Sequence, residues 1–211
     1  MKPYVILALL AIFWLFVMFA DRIPLLESPE LPACLPNCQG QDLTGVYLGA
    51  ADLQGANFNG ATLYFADLTR SDLRGADLRG ADLRKANLRG IKMDETTQID
   101  DNWRLVWEIV NFGGEGRDLQ NVDFTLADLA RTELSGANLG GANLTGADLR
   151  GAGLEKANLT GANLTEADMY RANLNNANLQ NANLQDAILQ GAEMRDTQLP
   201  DGWREMIKPF Y

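Results

Sequence analysis

The residues with the clearest capacity for chemistry are three carboxylates spaced twenty apart, Asp128, Asp148 and Asp168. Two carboxylates facing each other across a cleft can serve as acid and base in glycoside hydrolysis. These three, however, occupy one position of a repeating unit and would line up on the convex side of a rod, with no cleft between an acid and a base. They are expected to form a charged interaction surface, not a catalytic site. The chain has no His, which removes the commonest general base, the commonest metal ligand and every Ser/His or Cys/His nucleophile. No enzymatic activity, cofactor or metal is expected. Cys34 and Cys38 stand four apart and are too few for a zinc site without His to complete it. Trp103, Trp107 and Trp203 can form a binding surface or cover core as caps. The second use is expected, because an indole covers much apolar area.

The element that must position these residues is a five-residue unit. Large apolar side chains recur at Leu43, Leu48, Leu53, Phe58 and every fifth residue to Met93, then from Leu119 to Leu199, giving 11 and 17 units. A small residue stands two before most of them, as in Ala56, Ala61, Ser71, Ala137 and Ala142. Five matches neither the helical period of 3.6 nor the strand period of 2, so the pattern points to a solenoid. Controlled size at both positions implies that both face inward.

The phrase Ala-(Asn or Asp)-Leu, as in Ala137-Asn138-Leu139 and Ala147-Asp148-Leu149, resembles the consensus of the pentapeptide repeat proteins. The resemblance implies an all-β solenoid, a right-handed quadrilateral β-helix with four units per coil. Residues twenty apart would then stack at about 4.8 Å. Asn143, Asn163 and Asn183 would share one column and Asn138, Asn158 and Asn178 another, with their amides bonded along a ladder. Asp128, Asp148 and Asp168 would repel one another unless cations such as Arg150 and Arg171 compensate. Arg74, Arg79, Arg84 and Arg89, beside Asp72, Asp77 and Asp82, read as a salt-bridged girdle.

Between the two repeat blocks, 41–93 and 118–199, lies an insert at 94–117. Trp103, Val106, Trp107 and Val110 follow helical spacing there, with Asp101 as an N-terminal cap and Gly113-Gly114 as a stop. The helix reads as a lid over an open coil. Thr197-Gln198-Leu199-Pro200-Asp201-Gly202-Trp203-Arg204 parallels Thr97-Gln98-Ile99-Asp100-Asp101-Asn102-Trp103-Arg104, so residues 200–211 read as a second cap closing a second module.

Residues 3–20 carry no charge and at about 1.5 Å per residue would span roughly 27 Å, close to a hydrocarbon core. An uncleaved transmembrane anchor over 1–20 is expected, since cutting a signal peptide after Ala20 would leave Met18 at a position that wants a small residue. Lys2 and the amino terminus against Asp21, Arg22, Glu27 and Glu30 leave the N-terminus cytoplasmic and the repeats outside it; a periplasmic or thylakoid-lumen setting is what the resemblance to cyanobacterial members implies. Pro24, Pro29, Pro32 and Pro36 make 21–40 an extended spacer. Outside the cytoplasm a short-loop disulfide between Cys34 and Cys38 is one reading, and two free thiols near a cap is the other.

Net charge is -10, concentrated in 94–117 and 118–199, which argues against direct nucleic-acid binding. The leading expectation is a membrane-anchored scaffold for a protein partner, with a homodimer left open. The alternative comes from the resemblance, since some pentapeptide repeat proteins mimic DNA and bind type II topoisomerases.

Overall fold

Why the five-residue unit closes into a coil is visible in its backbone. In the computed structural model, which describes residues 30–207, each unit makes a short extended step and then a turn. The turn is closed by a bond from the next small residue back to the large one, as in Ala147 N–H to Leu144 O at 3.0 Å and Ala152 N–H to Leu149 O at 3.0 Å. Four turns return the chain to its start one layer higher. Parallel bridges accordingly join residues twenty apart, among them Asn138 with Asn158 and Asp148 with Asp168. Corner residues adopt positive φ, which glycine tolerates at Gly146 (61°) and which Leu126 accepts at 56°.

The large and small positions both seal the interior. Leu144, Leu149, Leu154 and Leu159 are fully buried, as are Ala142, Ala147 and Ala152. Each leucine so buried contributes about 1.5–3 kcal/mol of transfer free energy, so one coil of four holds a continuous apolar column. Outward amides reinforce it. Asn158 Nδ2 donates to Asn138 Oδ1 at 2.8 Å, whereas Asn163 Nδ2 donates chiefly to Thr145 Oγ1 of the layer below, at 2.9 Å.

The first repeat stack ends under helix α1, Asp101–Phe112. Four bonds fasten it there. Arg104 Nη2 donates to Thr97 O, Trp107 Nε1 to Ile91 O, and Asn111 Nδ2 to Leu88 O, while Gly90 N–H donates to Asn111 Oδ1. The N-cap is Asp100, not Asp101, and its carboxylate accepts Gly80 N–H from the coil instead of capping its own helix. The opposite side of α1 meets the start of the second stack. Arg117 Nη2 lies 3.1 Å from Glu108 Oε2, and Ile109 packs 3.4 Å from where a Cβ on Gly114 would stand. The helix is thus a wedge between two stacks as well as a lid on one.

On the other side of the rod the stacks touch directly. Lys85 N–H donates to Leu126 O at 2.7 Å, and Lys85 Nζ reaches Gly146 O at 2.9 Å. The buried series of Leu83 and Leu88 is therefore continued by Phe124 and Leu129, and the described residues from Pro32 onward form one compact unit.

At the far end, α2, Trp203–Met206, follows the second stack. Thr197 Oγ1 donates to Leu174 O there as Thr97 Oγ1 does to Leu73 O, at 2.7 and 3.0 Å. Residues 3–20, expected to cross a membrane, lie outside the described residues. Among the described residues no helix is long and apolar enough to do so.

Candidate functional site

Asp128, Asp148 and Asp168 form a vertical column, paired layer to layer by parallel bridges. Each first serves its own turn: Oδ1 accepts the backbone N–H two residues on, from Ala130 at 3.2 Å, Arg150 at 3.1 Å and Tyr170 at 3.0 Å. That local bond explains why the position takes only Asp or Asn in most layers.

The charges are then compensated. Arg150 clasps Asp148 through Nε and Nη2 at 2.8 and 2.5 Å, and its Nε lies 3.8 Å from Asp168. Arg89 Nη1 donates to Asp128 Oδ2 at 2.9 Å, and its other nitrogen donates to Ala130 O. Burial pushes the Asp148 carboxyl upward, yet the bonds from Arg150 and its backbone outweigh this and the net shift is down. The Arg150 guanidinium is held more firmly protonated by Asp148. Carboxylates fixed as anions in this way are poor proton donors at neutral pH.

Two expectations about arginines change. Arg89 does not join the girdle of Arg74, Arg79 and Arg84, which bind Asp72, Asp77 and Asp82 at 2.6 to 2.7 Å. The residue two before it is Asn87, so it reaches across the junction to Asp128. Arg171 does not compensate the column either; its guanidinium lies over the Tyr170 ring, 5.0 Å from the centroid.

The long side chains leave a hollow between them. Ala130 and Gly151 line a cleft of about 540 Å³ together with Arg89, Arg131, Arg150, Tyr170 and Arg171. Arg131, Gly151 and Arg171 are successive members of one corner column, with φ of 56°, 65° and 56°. Arg131 arches over the glycine, its Cγ 3.6 Å from where a Cβ on Gly151 would stand. Nothing in the five-residue pitch marks this cleft. The signal that could have found it is the alternation of Arg and Gly at Arg131, Gly151 and Arg171, twenty residues apart within the second block; only the arrival of Arg89 depends on the register across the insert.

Trp103 and Trp107 are half-buried and pack against the core from α1. Trp107 also meets Phe112 edge-on at 5.3 Å between centroids. Among the described residues no hydrogen bond, ion pair or ring contact joins them to the aspartate column. Cys34 and Cys38 are joined in a disulfide with Cα atoms 5.0 Å apart. Cys38 is fully buried below Phe58, where Asn37 pairs with Asn57, so the bridge pins the entry to the first coil.

Comparison with known proteins places this geometry. The chain is similar to HetL, a pentapeptide repeat protein involved in heterocyst differentiation regulation in the cyanobacterium Nostoc sp. strain PCC 7120, at 31% identity and a TM-score of 0.39, over 79% of this chain and 65% of that one. It thus spans about two thirds of the length of HetL. A pentapeptide repeat protein of the Arabidopsis thaliana thylakoid lumen is 36% identical over 40% of this chain and 62% of that one, with a TM-score of 0.29. QnrB1, a plasmid-mediated fluoroquinolone resistance protein, is 18% identical over 82% and 88% of the two chains, with a TM-score of 0.39. No curated protein matches. The family model for pentapeptide repeats matches 8 copies, within 41–97 and 115–201. Those are the residues whose pitch generates the coil, and the gap between them is filled largely by α1, so the chain belongs to the pentapeptide repeat proteins, whose fold is the right-handed quadrilateral β-helix.

Proposed function

We propose that the protein is a non-enzymatic scaffold, a rod tethered to a membrane by residues 1–20 and held on the periplasmic or thylakoid-lumen side, where it binds a protein partner. The observation that carries the scaffold reading is the division of labour within the coil. Inward positions are sealed by Leu and Ala, and the two residues after each Leu point outward and vary from layer to layer. A rigid surface of that kind suits recognition without chemistry.

Two further features support the placement. The charge-free run at 3–20 is long enough to anchor, and a Cys34–Cys38 disulfide belongs in an oxidising compartment. Protease treatment of right-side-out and inverted vesicles tests it. With cell-membrane vesicles, digestion of the repeats in right-side-out preparations alone is expected. With thylakoid vesicles, which enclose the lumen, digestion in inverted preparations alone is expected. The opposite pattern in the membrane that carries the protein rejects the placement. DNA mimicry is the weaker reading, because two aspartates of the column, Asp128 and Asp148, are held by Arg89 and Arg150 instead of being presented to a partner. Absence of any effect of the full chain on topoisomerase supercoiling at micromolar concentration would close it.

A further inference from the structure

We propose that the cleft over Ala130 and Gly151 is a binding site for a soluble small molecule carrying two or more phosphate groups. The inference stands apart from the scaffold reading and does not depend on the membrane anchor.

Charge is the first argument. The protein is acidic, with a net charge of -10, yet this cleft gathers four guanidinium groups, Arg89, Arg131, Arg150 and Arg171, against one lining carboxylate, Asp128, and the two that Arg150 faces, Asp148 and Asp168. Asp128 is already engaged by Arg89. Arg131 and Arg171 form no ion pair among the described residues, unlike Arg74, Arg79 and Arg84, each clasped by the aspartate two residues before it. The difference is positional. Arg131 and Arg171 stand at the corner of their units, three residues after Asp128 and Asp168, where the clasp cannot close.

Geometry supplies the second argument. Backbone bonds from Arg131 N–H to Arg150 O and from Gly151 N–H to Tyr170 O place Arg131, Gly151 and Arg171 in consecutive layers. Two layers separate the unpaired arginines by about 10 Å. Arg150 projects between them from the neighbouring column, 57% exposed despite its bond to Asp148. Arg171 is oriented in advance by the Tyr170 ring. The arrangement is a row of planar forks flanking a hollow of about 540 Å³, the volume of a small-ligand site. A terminal phosphate offers three oxygens and a charge of about -1.5 to -2 and can meet two forks at once, where a carboxylate brings two oxygens and a single charge.

Tripolyphosphate is a suitable probe, titrated into the full chain in non-ionic detergent and phosphate-free buffer, and followed by calorimetry and phosphorus NMR. Saturable binding that weakens as salt is raised is expected. Replacing both unpaired arginines, R131Q/R171Q, should weaken it by about tenfold or more, the scale of losing charge-assisted bonds. Ala130→Leu, which enlarges an apolar lining residue without changing a charge, should weaken it too. Arg79→Gln, on another face and clasped to Asp77, should leave it unchanged. Thermal melting of each variant reports that the coil is intact. The proposal is overturned if the wild type fails to bind at millimolar probe, if R131Q/R171Q binds as the wild type does, or if an oligoglutamate peptide binds at the cleft while tripolyphosphate does not. The last result would assign the site to an acidic protein segment.

Discussion

An arginine two residues after an aspartate closes a clasp on the surface of this coil. Asp72 and Asp77 are each held by Nε and Nη2 of Arg74 and Arg79. The arginine bond is the largest influence, and it lowers both carboxyls to about 2 despite some desolvation. A carboxylate whose folded value lies below its ordinary value near 4 favours folding above about pH 4, and that contribution fades as pH falls toward 2. Both pairs lie at the surface, so salt screens them. Carbon-detected NMR titration should place these two side chains near 2 in the wild type, with Arg79→Gln moving Asp77 up toward 4 while Asp72 stays low. An Asp77 midpoint that does not move would assign the depression to its backbone bond instead.

At the scale of elements, α1 is secured to the coil by one residue more than by any other. Asn111 donates to Leu88 O at 3.1 Å and to Trp107 O at 2.8 Å, and it accepts Gly90 N–H at 2.6 Å. Asn111→Ala leaves the Gly90 N–H and the Leu88 carbonyl unpartnered at the edge of the helix, and should destabilise the fold by about 1–3 kcal/mol. Urea denaturation measures the loss, and faster amide exchange at Gly90 locates it. The helix itself is legible in the spacing of Trp103, Val106, Trp107 and Val110, and it ends at the expected stop, Gly113, while its N-cap is Asp100 and not Asp101. Its fully buried residues are Val106 and Ile109, and both tryptophans are only half-covered. Asp100 could not be assigned from sequence. An aspartate beside a helix start can cap the helix or bond a neighbouring coil, and the position of Gly80 decides between them. The same limit applies to Arg89. Its chemistry matches Arg84, but its partner Asp128 lies beyond an insert that breaks the five-residue count.

At the scale of the whole described unit, that insert also decides how the two stacks communicate. Within each stack the register is legible, because Leu83 and Leu88 stand in a strict five-residue series and so do Phe124 and Leu129. Across the insert the series is out of step, so which faces meet is set by α1 parting one side and by Lys85 and Arg89 joining the other. In a solenoid, stability is close to a sum of layer terms and nearest-neighbour terms. The junction is the weakest neighbour term here, since a few side-chain bonds replace the full set of bridges found between ordinary layers. Replacing both residues, Lys85→Ala with Arg89→Ala, removes the bond to Gly146 O and the pairing of Asp128 while leaving both cores intact. Unfolding should then separate into two steps, with amides of 41–93, the shorter stack, exchanging at lower denaturant than those of 118–199. Calorimetry and hydrogen exchange read by mass spectrometry would register the split. A single transition in which both stacks exchange together would mean that α1, not the Lys85 and Arg89 side, carries the coupling.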